Sequence, residues 1–133
     1  DPEHDQRCVD AVLQVLERRG AKTWAAIHSF QPDMVARARA TEPRVSADII
    51  SPPVSGEALE RLLGATLKRN AQAVSVEHSC IAPGLVLKAK RRQLTVWTWT
   101  PDHEDDWERV IAAGVDGIIT NVPHRLRDYL VRR

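Results

Sequence analysis

Leu94-Thr95-Val96-Trp97-Thr98-Trp99 leads through a proline into Asp102 to Ala113, then into Val115-Asp116-Gly117-Ile118-Ile119-Thr120, and Pro123 stands just beyond. The first run is β-branched or aromatic at all but one position and predicts a strand. In the second, Trp107, Val110 and Ile111 share a helical face, Glu104, Asp105 and Asp106 suit the positive end of the dipole, and Gly114 is the terminator. A short apolar strand comes next, and Pro123 opens a final helix carrying Leu126, Tyr129 and Leu130. Strand, helix, strand, helix is the signature of parallel strands joined by crossovers.

The same unit repeats upstream. Asp1 is placed to cap a first helix with Pro2 in its first turn, Val9, Val12, Leu13 and Leu16 on one face, and Gly20 as its stop. Trp24-Ala25-Ala26-Ile27 predicts a short strand ending at His28-Ser29, and Gln31-Pro32-Asp33 starts a helix that Pro43 ends. A strand through Val45, Ala47, Ile49 and Ile50 breaks at Ser51-Pro52-Pro53, and Ser55 caps a helix faced by Leu59, Leu62, Leu63 and Leu67. Ala73-Val74-Ser75-Val76 is a third strand, ending in Glu77-His78-Ser79, and Pro83-Gly84 opens the helix of Leu85, Val86 and Ala89. Lys88, Lys90, Arg91 and Arg92 form the solvated side of that helix, at the end where cations complement the dipole.

The chain is therefore one helix followed by five strand-helix units: an α/β chain with parallel strands and crossover helices. No linker or low-complexity stretch divides it, so residues 1–133 form one domain. Polar residues collect where the strands end, the edge that hosts chemistry in open α/β sheets and in (β/α)8 barrels alike. Five units cannot close an eight-stranded barrel. They make either an open five-stranded sheet or the C-terminal five units of a barrel, and periodicity does not choose between the two.

Composition narrows the partners. The 133 residues are 43% hydrophobic and 28% charged, as expected of one soluble globular domain and not of a disordered chain. Nineteen Lys and Arg balance eighteen Asp and Glu, for a net charge of +1, which provides no basic field for nucleic acid. No apolar run reaches the roughly 20 residues of a membrane span. The acidic start lacks the basic and apolar regions of a signal peptide. Cys8 and Cys80 make neither a disulfide framework nor a metal-binding pair. They read as small buried side chains in a reducing, cytoplasmic setting.

Three segments decide between sheet and barrel. Ser29-Phe30-Gln31-Pro32-Asp33 resembles the S-F-x-P segment of glycerophosphodiester phosphodiesterases, Val96-Trp97-Thr98-Trp99-Thr100 is similar to their V-W-T-V-N strand, and Gly114 to Pro123 is similar to their closing G-V-D-G-I-I-T-D-x-P. The resemblance runs in order from about Trp24 to Leu130. It implies an incomplete (β/α)8 TIM barrel made of the C-terminal five βα units. It also implies hydrolysis of a small-molecule glycerophosphodiester to glycerol 3-phosphate and an alcohol, with a divalent cation, calcium or magnesium. In that family the chemistry is carried by H-R-G, Glu-x-Asp, a nearby His and Glu-x-Lys on the first three strands. None of those motifs stands on a strand of this chain, so no metal ligand is identified in it, and catalysis by the chain alone is not expected. Asn121 stands where the family often has Asp, and Trp99-Thr100 replaces Val-Asn.

On this reading Phe30, Glu77, Trp97 and Trp99 are the candidate substrate-binding residues. Trp97 and Trp99 are two apart on a strand and share a face, either the barrel mouth, where they would pack on the glycerol carbons, or the side packed on a crossover helix. Phe30 is a similar apolar wall. Glu77 and His78 both enter one pocket only if the strand has already ended, and otherwise one lines the mouth while the other bonds within a loop. His28 is expected to make a structural hydrogen bond. His4, His103 and His124 sit at helix starts, and no histidine pair has metal-ligand spacing. Two classes of function are compatible with these features: a wall of a metal-dependent phosphodiesterase, or a non-catalytic half-barrel assembly module. In the second, open edges pair with another copy or with a missing N-terminal half.

Overall fold

A computed structural model describes residues 2–133, so the expected Asp1 cap lies outside the described residues. Helix α1 (Pro2–Arg18) precedes five units: β1 (Ala26–Ser29) and α2 (Pro32–Thr41), β2 (Ser46–Ser51) and α3 (Gly56–Lys68), β3 (Ala73–Glu77) and α4 (Pro83–Lys90), β4 (Thr95–Trp99) and α5 (Glu104–Ala113), β5 (Gly117–Ile119) and α6 (Pro123–Arg132). A short 3-10 turn, His78–Cys80, separates β3 from α4. Proline stands in the first turn of α2, α4 and α6, and Gly114 ends α5 at φ 93°, a left-handed cap that glycine adopts without strain.

The strands pair in parallel in the order β1-β2-β3-β4-β5. Each crossover moves to the next neighbour and never turns back. Right-handed connections that all advance one way put every helix on the same side of the sheet. Alternate strand residues confirm it. Val74, Val76 and Val96 point outward into a cluster with Leu59, Leu63, Leu85, Val86, Ala89 and Val110, while Ala47 and Ile49 pack with Val35 and Ala71. The other face belongs to the strands alone.

That face is concave. Strands β1 and β4 are three strand spacings apart, about 14 Å along a sheet. Yet the rings of His28 and Trp97 meet at 5.6 Å, and those of Phe30 and Trp99 at 5.7 Å. Such contacts require the sheet to curl, and the architecture is a half-barrel of parallel strands wrapped by helices on its outer side.

Several local expectations are corrected. The first strand begins at Ala26, not Trp24, because the Trp24 and Ala25 amides both donate to Ala21 O and hold the chain in a turn; Trp24 is left exposed. The last strand is shorter than the 115–120 run because Asp116 makes its own clasp on β4, its amide donating to Val96 O at 2.8 Å and its Oδ2 accepting from the Val96 amide at 2.9 Å. Ser55 occupies the N-cap of α3, but its side chain makes no cap bond. Leu67 is exposed. Cys8, expected to be buried, lies on the solvent side of α1, and Cys80 is half-buried with Sγ 3.2 Å from Glu77 O.

At the N-terminal edge of the sheet one buried cation closes the end of α2. Arg39 is 8% exposed, and its guanidinium donates to Asn70 O (2.8 Å), Val45 O (2.8 Å) and Pro43 O. Charged donors contribute more than neutral ones, and the bond to Val45 O is buried. Arg39→Met leaves those carbonyls without their donor and is expected to lower unfolding stability by about 2–3 kcal/mol, measured by urea titration.

Candidate functional site

The strand registers stack the inner side chains in layers. Asp48, Ala73 and Thr95 are level with His28; Ile50, Ser75, Trp97 and Gly117 form the next layer; Glu77, Trp99 and Ile119 form the layer at the strand C-termini. Trp97 lies flat toward β5 because residue 117 is glycine: a Cβ there would fall within 2.6 Å of indole Cδ2 and Cζ3. Its other neighbour is His28, which meets it edge to face at 81°. Trp99 meets Phe30 at 87°, and its Nε1 donates to Ser75 O at 3.3 Å. Both tryptophans therefore face the concavity and not a crossover helix. Phe30, just past β1, remains 58% exposed and gives this face its apolar rim.

Under the aromatic pairs lies a polar group. His28 Nδ1 is 2.6 Å from Asp48 Oδ2, and Asp48 has no solvent exposure. Ser75 is also fully buried, and no partner reaches its hydroxyl. Neither Asp48 nor Ser75 is among the candidates that sequence reasoning yields, although the alternation Ser46-Ala47-Asp48-Ile49-Ile50 puts the carboxylate opposite the core-facing Ala47 and Ile49.

Glu77 is the last residue of β3, so the chain turns before His78 and brings the two side chains together, His78 Nε2 lying 3.3 Å from Glu77 Oε1. Burial opposes ionisation of Glu77, but the Ser79 hydroxyl and amide, both donating to Oε2, outweigh it, with His78 and Arg109 adding to them, and the carboxyl is held below its usual range. Arg109 fastens the other side of the turn, donating to His78 O (3.0 Å) and pairing with Asp106 (3.0 Å). That arginine, with smaller contributions from His78, lowers the Asp106 pKa against the effect of burial. Glu77 is level with Trp99 in the sheet, while its carboxylate is engaged by the turn.

A second clasp joins β4 to β5. Asp102 accepts from Thr120 Oγ1 (2.6 Å), the Asn121 amide (2.9 Å) and Asn121 Nδ2 (2.8 Å), and these bonds, the Thr120 one foremost, hold its pKa down. An aspartate at 121 would face Asp102 with a second negative charge; the asparagine supplies the donor instead. The basic stretch of α4 is tied up elsewhere: Lys88 and Arg92 both pair with Glu60, and Lys90 pairs with Asp116. Among the described residues no three or more His, Cys, Asp or Glu side chains are grouped to hold a metal, and no helix is long and apolar enough to cross a membrane.

The Glycerophosphoryl diester phosphodiesterase family profile matches residues 1–125. A glycerophosphodiester phosphodiesterase of Arabidopsis thaliana is 28% identical over 127 residues, 92% of this chain and 36% of that protein. A Silicibacter pomeroyi structure described as a glycerophosphoryl diester phosphodiesterase superposes with a TM-score of 0.85 at 27% identity, covering 99% of this chain and 46% of that one. An Oleispira antarctica phosphodiesterase, solved with the product sn-glycerol-3-phosphate, shares the fold at 14% identity and a TM-score of 0.81, covering 98% of this chain and 51% of that one. The chain thus spans about a third to a half of the length of these relatives.

Two outcomes test the geometry. Gly117→Ala is expected to displace the Trp97 indole and to cost about 1–3 kcal/mol through overpacking, read by urea unfolding and by loss of near-ultraviolet dichroism. For Asp102 the sign follows from its lowered pKa. Its contribution to stability is complete above the ordinary aspartate range near pH 4 and drains away as pH falls through the lower folded value. Asp102→Asn should therefore be less stable than wild type at pH 7, with the gap narrowing on acidification below about pH 4.

Proposed function

The chain belongs to the glycerophosphoryl diester phosphodiesterase family, and from that membership we propose that it forms the substrate-side wall of a barrel hydrolysing a glycerophosphodiester to glycerol 3-phosphate and an alcohol. The observation that carries this reading is the pair of aromatic contacts across the concave face, His28 with Trp97 and Phe30 with Trp99, at the strand ends where barrel enzymes hold substrate. Trp97 and Trp99 pack on the carbon skeleton, Phe30 shields it from water, and Glu77 lines the rim from its anchored position. The product seen in the Oleispira antarctica relative supports a glyceryl ligand class.

The family's divalent cation finds no three-donor set among the described residues, and His28 with Asp48 offers only two side chains. The groups that attack and protonate lie, on this reading, in H-R-G, Glu-x-Asp and Glu-x-Lys segments that none of these five strands carries. The β1 and β5 edges then pair with the strands that complete the barrel. An apolar groove of Ile118, Ile119, Pro123, Leu126, Leu130 and Val131 beside β5 suits such a neighbour.

The purified 133-residue chain is expected to release no glycerol 3-phosphate from glycerophosphocholine with calcium or magnesium. Fused behind a family segment bearing the three missing motifs, it should turn the substrate over, and Trp97→Ala in that fusion should raise KM more than it lowers kcat. Robust hydrolysis by the chain alone would refute the assignment of the essential groups to other segments.

A further inference from the structure

Asp48 is a fully buried carboxylate whose Oδ2 lies 2.6 Å from His28 Nδ1, a contact without the alignment of a hydrogen bond. A buried contact between a carboxylate and an imidazole contributes little beyond what apolar side chains of the same size would. Its geometry has a chemical consequence. A lone pair on Nδ1 would be repelled by the carboxylate, so the proton sits on Nδ1 and, in the neutral ring, Nε2 is the acceptor. Nδ1 is buried while the His28 side chain keeps 24% exposure, so the ring reaches solvent through atoms other than Nδ1. The ring stands edge to face with the Trp97 indole on the concave face. In the layer of Trp97, one strand over, stands Ser75 with its buried and unpartnered hydroxyl.

An aromatic surface beside a fixed acceptor is complementary to a carbon chain that carries hydroxyls. Resting on the reading of Trp97 as a substrate wall, we infer that His28 is a substrate-contacting residue whose Nε2 accepts a hydrogen bond from a hydroxyl of the glyceryl arm. Asp48 acts through His28 by fixing its tautomer and is a positioning residue.

The test uses the 133-residue chain labelled with nitrogen-15. Long-range imidazole spectra should show His28 as the Nδ1–H tautomer. Titration with sn-glycerol 3-phosphate should shift the His28 Nε2 and Trp97 indole resonances and leave that of the buried Trp107 unmoved. n-Propyl phosphate, with the same carbons and phosphate but no hydroxyls, should bind about fivefold more weakly, the equivalent of one hydrogen bond. Asp48→Asn should mix the tautomers and remove most of that preference; if this variant does not fold, the wild-type measurements decide the matter alone. An Nε2–H tautomer, or equal binding of the two phosphates, overturns the role of His28 and leaves the aromatic wall standing. No shift at Trp97 with either ligand overturns both.

Discussion

Right-handed crossovers that always advance to the next strand cover a sheet on one side only. A flat sheet so built would present a naked face to water. This chain meets the constraint by curling, so that side chains of β1 and β4 reach each other over the two strands between them. Trp97 is central because an indole is large enough to reach His28 on one side while lying against Gly117 on the other. The outer face solves its own problem with aliphatic side chains under the helices. The inner face uses aromatic and polar ones, and a single fold thereby separates its stability from its chemistry.

The polar groups of that inner face come in two kinds. Those at the strand ends are fully engaged: Glu77 by the turn after β3, Asp102 by Thr120 and Asn121, Asp106 by Arg109. They hold the loops in place, and their charges are answered locally. The groups one or two layers down, His28, Asp48 and Ser75, include buried atoms with unused hydrogen-bonding capacity.

Much of the architecture is legible in the sequence because it is written in local chemistry. β-Branched and aromatic runs, proline at helix starts and glycine at Gly114 define the five units and their order, and three short segments resolve sheet against barrel. The errors have equally local causes. Trp24 looks like a strand residue, but backbone bonds to Ala21 hold it in a turn, which composition does not reveal. Cys8 sits on a helix whose apolar stripe is narrower than its sequence implies. Phe30 and Trp97 can be named through the resemblance, and alternation adds Trp99 to the face of Trp97 without deciding which face that is. Asp48 cannot, because an isolated acidic residue in a strand acquires meaning only when a neighbouring strand delivers an imidazole to it. Likewise the end of β3 locates Glu77, but the direction of its carboxylate depends on Ser79 two residues later.

The uninterrupted strand order also bears on how the chain comes to exist. Each strand finds its hydrogen-bonding partner in the one made just before it, across a single helix, and none must wait for a segment synthesised much later. Such a polypeptide can be laid down from its amino end like staves set one beside another, every new stave seated as it emerges from the ribosome.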